Sequence, residues 1–458
     1  MFRFYSLLLI FLSIVEAAKG QGLIFDSLEY QSTPLKAELM NRDYSGLPKS
    51  VSLKAYCPSA NNQGDYGTCV GWATAWAART MIEAIQNQWR GQEYITKNSF
   101  APGFCFLPSE QDTDPCKSGT IMTKALNLLR ETGVPKYSDF SEVCPKNVTE
   151  DVLKKAQKNK IKDYTKLFAH DAPGFQKIQS IKKTLSQNLP VLVALRTPPS
   201  FKEAGACWLP DEVYSENYTG HAVCVVGYDD AKWGGAFEIQ NSWGESWGEK
   251  GFTYVRYKDA VDWFLGAYEI TPYPKVLNPS DINMEGSLSF ILADGREPLS
   301  ARKLPNSNFL HYKLDKTMYS GSRYRMHLAN KGQAYVYVFA TDEYNNVSLL
   351  FPSSGTSAIL PYTENNVALP SERHWIQLDN TVGTDFVYVL YCKESIDFTQ
   401  VKRELMKPSS NPRERLNAFL QDKLISPHSI IAESHQASFK AASGQQSILL
   451  MLIEMTHR

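Results

Sequence analysis

At 458 residues the chain exceeds what one ordinary core of about 100 to 200 residues organises, so two domains are expected. Lysine plus arginine equals aspartate plus glutamate at 48 each, and no dense basic run stands out. Nucleic acid and anionic membrane surfaces are therefore excluded as partners recruited by charge.

In chain order, Arg3 is followed by an apolar run over residues 6–15, then Glu16 and the small residues Ala17, Ala18 and Gly20. This is the pattern of a secretory signal peptide over residues 1–20, cleaved near Gln21. It falls short of the roughly 20 apolar residues of a membrane anchor. No integral membrane anchor is expected, and export to a periplasmic or extracellular space is. Export permits disulfides. With Cys69 kept for chemistry seven cysteines remain, so at least one more stays free, Cys224 and Cys392 being the candidates because they sit in apolar strand patterns. A bridge among Cys105, Cys116 and Cys144 would staple one loop-rich region.

Residues 21–46 show no period and read as an extended lead-in. From Thr68 the pattern turns helical, with Val70, Ala73, Ala77, Met81 and Ala84 spaced by three and four, which puts Cys69 in the first turn of a long helix. Helices are also predicted over residues 120–132, closed by Gly133 and Pro135, and over 175–187, with Ile178, Ile181 and Leu185 on one face. Short β-branched or aromatic runs follow at 191–195, 221–228, 236–240 and 252–257. Helices first and strands second predict an α+β unit over residues 47–271 whose halves meet at a cleft. Pro272, Pro274 and Pro279 mark a linker over 272–280. A β-rich second domain over 281–458 follows, with strands at 287–292, 323–328, 334–340, 347–351, 375–378, 385–391 and 448–453. One helix is placed in it, capped by Asn411, opened by Pro412 and striped by Leu416, Phe419, Leu420 and Leu424. Trp233 and Trp247 read as packing residues.

Three segments carry the chemistry: Gln63-Gly64-Asp65-Tyr66-Gly67-Thr68-Cys69, Gly220-His221-Ala222-Val223 and Asn241-Ser242-Trp243-Gly244. A thiol at a helix N-terminus sees the positive end of the helix dipole, so its pKa is expected to fall, and an imidazolium beside it lowers it further. His221 can serve as its base and Asn241 can orient the ring, with Trp243 covering their hydrogen bond. Gln63, six residues before Cys69 across a glycine-rich turn, can join the backbone N–H of Cys69 as an oxyanion donor. Together they form an acyl-transfer site that calls for no cofactor. The remaining histidines have no partners at metal-ligand spacing, so no metal is expected.

The order Gln-Gly-x-x-Gly-x-Cys, Gly-His-Ala-Val and Asn-Ser-Trp-Gly-x-x-Trp-Gly-x-x-Gly-Phe resembles the papain-like cysteine peptidases over about residues 47–271, with Leu47-Pro48 similar to the family's mature start. The resemblance implies a two-lobed fold of a helical and a β-rich lobe and a protein or peptide substrate. It carries the oxyanion donor, nucleophile, base and orienter to Gln63, Cys69, His221 and Asn241, and one glycine of the substrate-binding loop to Gly119. Tyr66 stands where the family has a structural cysteine, so that disulfide is absent. The interval from Cys69 to His221 (221 − 69 = 152) and to Asn241 (241 − 69 = 172) exceeds the family's about 130 to 150, implying loop insertions. There is no room before Leu47 for the family's long inhibitory prosegment, so control by its removal is not expected. The second domain, through Ala334-Tyr335-Val336-Tyr337-Val338-Phe339, Leu349-Leu350-Phe351-Pro352 and Gly383-Thr384-Asp385-Phe386, resembles a domain of unknown function appended to bacterial papain-like and caspase-like peptidases. That implies a bacterial source and leaves the domain's ligand or partner unknown. The reading is a secreted cysteine peptidase acting through a thioester on Cys69. The alternatives are a catalytically weak peptide-binding or scaffold protein and a transpeptidase using the same nucleophile.

Overall fold

The computed structural model describes residues 22–37, 46–109, 111–275, 283–305, 309–342, 344, 346–361, 367–371, 374–407 and 412–458. Residues 1–20, read above as a signal peptide, Asn411, and parts of the expected linker and lead-in lie outside them.

The first lobe is built around one helical run, Cys69–Gly71, Trp72–Arg79 and Thr80–Gln86, whose middle is wound in π register. Alanines at 73, 75, 77, 78 and 84 are all buried, because a helix surrounded on every side needs small residues where neighbours approach. Met122–Glu131 packs beside it, and Gly133 follows with φ 86° as a left-handed stop.

The second lobe is an eight-stranded sheet in the order Asp163–Lys166, Phe264–Thr271, Val191–Thr197, Thr219–Asp229, Ala236–Gln240, Phe252–Arg256, Cys207–Trp208, with Ser50–Ser52 added to Thr219–Asp229. The helix Gly174–Ser186 turns Ile181 and Leu185 into its core. Two elements depart from the sequence reading. Tyr257 leaves its strand to open the helix Tyr257–Trp263, and Phe264–Thr271 is a full central strand. Trp233 is 50% exposed with φ 55° ahead of Gly234 and Gly235, so it decorates a turn instead of packing. Trp247 is buried and its indole N–H donates to Phe201 O at 2.9 Å.

After residue 283 two seven-stranded sheets face each other across a shared core. Within the strands Ile448–His457 and Gly383–Cys392, residues 448–453 and 386–392 are apolar at every position because both faces are covered. Leu449, Met451 and Ile453 turn toward the opposite sheet, whereas Leu450, Leu452, Tyr388 and Leu390 turn toward the helices Phe398–Met406 and Pro412–Leu420. Met284–Leu292 alternates buried and half-buried residues as far as Ile291. The helix Phe398–Met406, capped by Asp397, is absent from the sequence reading. The predicted apolar stripe of the last helix also needs correction. Pro412–Leu420 stops before Leu424, which bridges Ile448, and Phe419 is partly exposed.

Cys116 is bonded to Cys144, so one bridge does staple the loop-rich region, while Cys57, Cys105, Cys207, Cys224 and Cys392 stay free beside Cys69. Cys116 O accepts from Gly67 N at 2.6 Å, which ties this loop to the turn before Cys69. Closing a loop of sequence separation 28 restricts the unfolded chain and contributes about 3 kcal/mol. Replacing both cysteines by alanine is expected to lower the unfolding free energy by about that much, read as a fall in the urea midpoint with a steeper slope, because the unfolded chain becomes less compact.

Candidate active site

Cys69 begins the helical run with its thiol fully buried. His221 stands opposite Leu195 in the sheet and is equally buried. Its Nε2–H donates to Asn241 Oδ1 at 2.7 Å, and Asn241 Oδ1 also accepts from Ser242 N at 2.7 Å. The first bond selects the ring tautomer and leaves Nδ1 as the nitrogen that can exchange a proton with a thiol. The Trp243 ring lies 4.8 Å from the His221 ring, and Phe201 meets both edge-on at 6.0 and 5.4 Å. Water is thereby kept from the His221 to Asn241 bond.

Gln63 is bound to this constellation. Its Oε1 accepts from Ser242 Oγ at 2.7 Å, its backbone N–H donates to Ser242 O at 2.9 Å, and its amide nitrogen gives one proton to Tyr66 O at 2.7 Å. A second proton on that nitrogen is left for a developing oxyanion. Ser242 and Phe201, which hold and seal the site, do not stand out in the sequence. Ser242 is recoverable from its place beside Asn241, but Phe201, some 40 residues away, is not.

One expectation fails here, because residues 22–37 of the lead-in cross the cleft. Leu23 N donates to Gly220 O, Thr120 N donates to Gly22 O at 2.8 Å and Ile24 N to Thr120 O at 3.0 Å, a parallel pairing beside Gly119. The fit is backbone to backbone. A Cβ on Gly22, whose φ is 91°, would come 2.0 Å from Gly67 O, and one on Gly119 2.3 Å from Gly22 O. Residues 27–32 then form a helix capped by Asp26, and Tyr30 fills a socket over Gly266, its hydroxyl donating to Phe168 O at 2.7 Å. The backbone of Gly22 and Leu23 thus covers the site. Beneath it, burial pushes the Cys69 thiol up to about 12. Backbone groups of Ala222, Val70, Cys69 and Leu23 favour the thiolate but do not offset the lost water, so the expected fall in pKa does not occur in this closed form.

A second cluster lies in the C-terminal sheets. Ser320 Oγ is 3.1 Å from His457 Nε2, and His457 Nδ1 is 3.1 Å from Asp385 Oδ2, whose carboxyl is pushed up by burial and drawn back by His457. The neighbouring backbone donors are committed, Ser320 N to Arg458 O and Gly321 N to Leu378 O. With those N–H groups unable to hold an oxyanion, the cluster is a clasp on the last strand.

The sequence profile of the papain family cysteine proteases matches residues 47–269. A cysteine protease of Blomia tropicalis is 25% identical over 244 residues, covering 52% of this chain and 68% of its own. An uncharacterized peptidase C1-like protein of Acanthamoeba polyphaga mimivirus is 28% identical over 286 residues, covering 57% and 87%. Among solved structures, xylellain, a cysteine protease from Xylella fastidiosa, aligns with 22% identity and a TM-score of 0.44 over 55% of this chain and 95% of its own.

With the thiol held near 12, thiolate is the minor species throughout neutral pH. The rate of alkylation of Cys69 in the closed protein is expected to rise about tenfold per pH unit through neutrality, without levelling below pH 10. Stopped-flow iodoacetamide labelling with peptide mapping reads this. A plateau between pH 6 and 8 contradicts it.

Proposed function

We propose that the papain-family cysteine peptidase domain of residues 47–269 hydrolyses peptide bonds as an endopeptidase through a thioester on Cys69. One observation carries this reading: the buried His221 to Asn241 bond at 2.7 Å under Trp243, set in the same cleft as a cysteine at a helix start. In this reading the Cys69 proton passes to His221 Nδ1 as sulfur attacks the scissile carbonyl carbon. The oxyanion that forms takes the backbone N–H of Cys69 and the second amide proton of Gln63. His221 returns the proton to the leaving amine, and water, deprotonated by His221, then releases the acid and restores the thiol. Asn241 keeps the ring turned through both halves. Gly119 and Thr120 form the edge on which an extended substrate lies, since that is where the lead-in backbone already pairs.

Export to a periplasmic or extracellular space is supported by the leader pattern of residues 1–20 and by the Cys116 to Cys144 bridge, which persists in oxidising surroundings. A bacterial source is supported by the likeness of the second domain to those appended to bacterial peptidases. Among the described residues no helix is long and apolar enough to cross a membrane.

The buried, protonated Cys69 also fits a peptide-binding protein without turnover. The two readings part in a protein whose lead-in is displaced by Gly22→Val. There, Cys69→Ala is expected to abolish hydrolysis of unfolded protein substrates, and Gln63→Ala to lower kcat by about 10² to 10³ fold. Hydrolysis retained by Cys69→Ala sinks the proposal. Amide formation with an added amine in place of hydrolysis identifies a transpeptidase.

A further inference from the structure

The lead-in does not end at the cleft. Past Tyr30 it enters the seam between the two halves of the chain, where each edge of its backbone is used. On one side Lys166 N donates to Pro34 O at 3.0 Å and Lys36 N to Lys166 O at 2.9 Å. On the other, Leu35 N donates to Gly355 O at 2.7 Å and Ser357 N to Leu35 O at 2.9 Å. Leu35 therefore bridges Lys166 of the peptidase sheet's edge strand and Thr356 of the second domain at once. Ala37 is 4% exposed and belongs to the second domain's own core. Lys36, held between them, places its ammonium on the fully buried Glu269 and on Thr184 Oγ1.

From this we infer that the second domain serves as the clamp of the cleft-covering strap, fixing residues 35–37 so that Gly22 and Leu23 stay seated over Cys69. The clamp rests on the reading of Cys69 as the nucleophile. Fixing one end of a short segment raises the effective concentration of its other end at a nearby site, so loss of the anchor empties that site without altering it. The direct joint between the domains falls on the same edge strand and at the end of its neighbour, Phe264–Thr271. Tyr335 Oη–H donates to Asp163 Oδ2 at 3.1 Å, and Gln333 Nε2 donates to Pro272 O at 2.9 Å. Whatever shifts the second domain therefore shifts the strap that pairs with Lys166.

The test is the rate at which a peptide epoxide labels Cys69 in the full chain, read by intact mass and peptide mapping, for the parent, Gly22→Val, Ala37→Glu and Ser357→Pro. Gly22→Val opens the cleft end directly. Ala37→Glu forces a carboxylate out of the second domain's core and so frees the strap's anchored end. Ser357→Pro removes the N–H that holds Leu35, and it decides the matter if Ala37→Glu does not reach a native near-ultraviolet spectrum. The clamp predicts labelling at least about tenfold faster than the parent in all three. Fast labelling in Gly22→Val with parental rates in folded Ala37→Glu and Ser357→Pro overturns the clamp while leaving the nucleophile intact. A parent as fast as Gly22→Val overturns it too, because the strap then covers nothing. No labelling in any protein refutes the catalytic reading of Cys69, and the clamp falls with it.

Discussion

Cys69 and His221 belong to different lobes, so the site exists only where the lobes are held in one register. That register is set by hydrogen bonds between residues 58–63, which lead into the helical run, and residues 240–244, which leave the sheet. Gln240 Nε2 donates to Pro58 O at 2.8 Å, Gln63 N to Ser242 O at 2.9 Å and Gly244 N to Asn61 O at 3.2 Å, while Ser242 Oγ reaches Gln63 Oε1. These bonds are buried or partly buried, so each broken one strands a donor or acceptor at a cost of about 1 to 3 kcal/mol. The residues proposed to orient the imidazole and to offer an oxyanion donor therefore also hold the cleft together. Chemistry and architecture are not separable at Gln63, Asn241 and Ser242.

The strap adds an opposing constraint. A thiolate needs water or fixed dipoles, and the backbone of Gly22 and Leu23 removes the water while supplying little dipole in return. Reactivity at Cys69 is thus a property of strap position as much as of its neighbours. The strap is well held: Tyr30 is 1% exposed in its socket, a burial worth about 2 kcal/mol, and Lys166 Nζ donates to Tyr30 O and Gln31 O at the end of the short helix. Withdrawing Lys36 would leave the Glu269 carboxylate without its buried cation, and breaking such a pair costs about 3 to 5 kcal/mol. A cleft closed by interactions of this size is open only a small fraction of the time.

Much of the site was legible because its parts are local or rigidly spaced. Cys69 had to start a helix because the alanine-rich three-and-four pattern begins there, and His221 had to lie on a strand because its neighbours Ala222 to Val226 are small, β-branched or thiol-bearing. The lead-in was not legible. Residues 22–37 have no period, since their hydrogen bonds go to Thr120, Gly220, Lys166 and Gly355, partners far along the chain, and a segment shaped by distant partners carries no local signature. Helix Phe398–Met406 does carry a local signature, Asp397 as its cap with Phe398, Val401 and Leu405 spaced by three and four, but over nine residues that signal is short and the sequence reading passes it over.

The sequence by itself therefore determined the α+β character of the first domain and the β-rich character of the second, and it set the order of the residues proposed for the site, Gln63, Cys69, His221 and Asn241. Each of these is written in residue type and short-range spacing, which survive without a partner. Only the tertiary structure decided that Cys116 joins Cys144, that Phe201 seals the imidazole, and that the lead-in buries the thiol and raises its pKa. Those outcomes turn on which distant surfaces exclude water from one another, and exclusion of water is a property of the assembled chain.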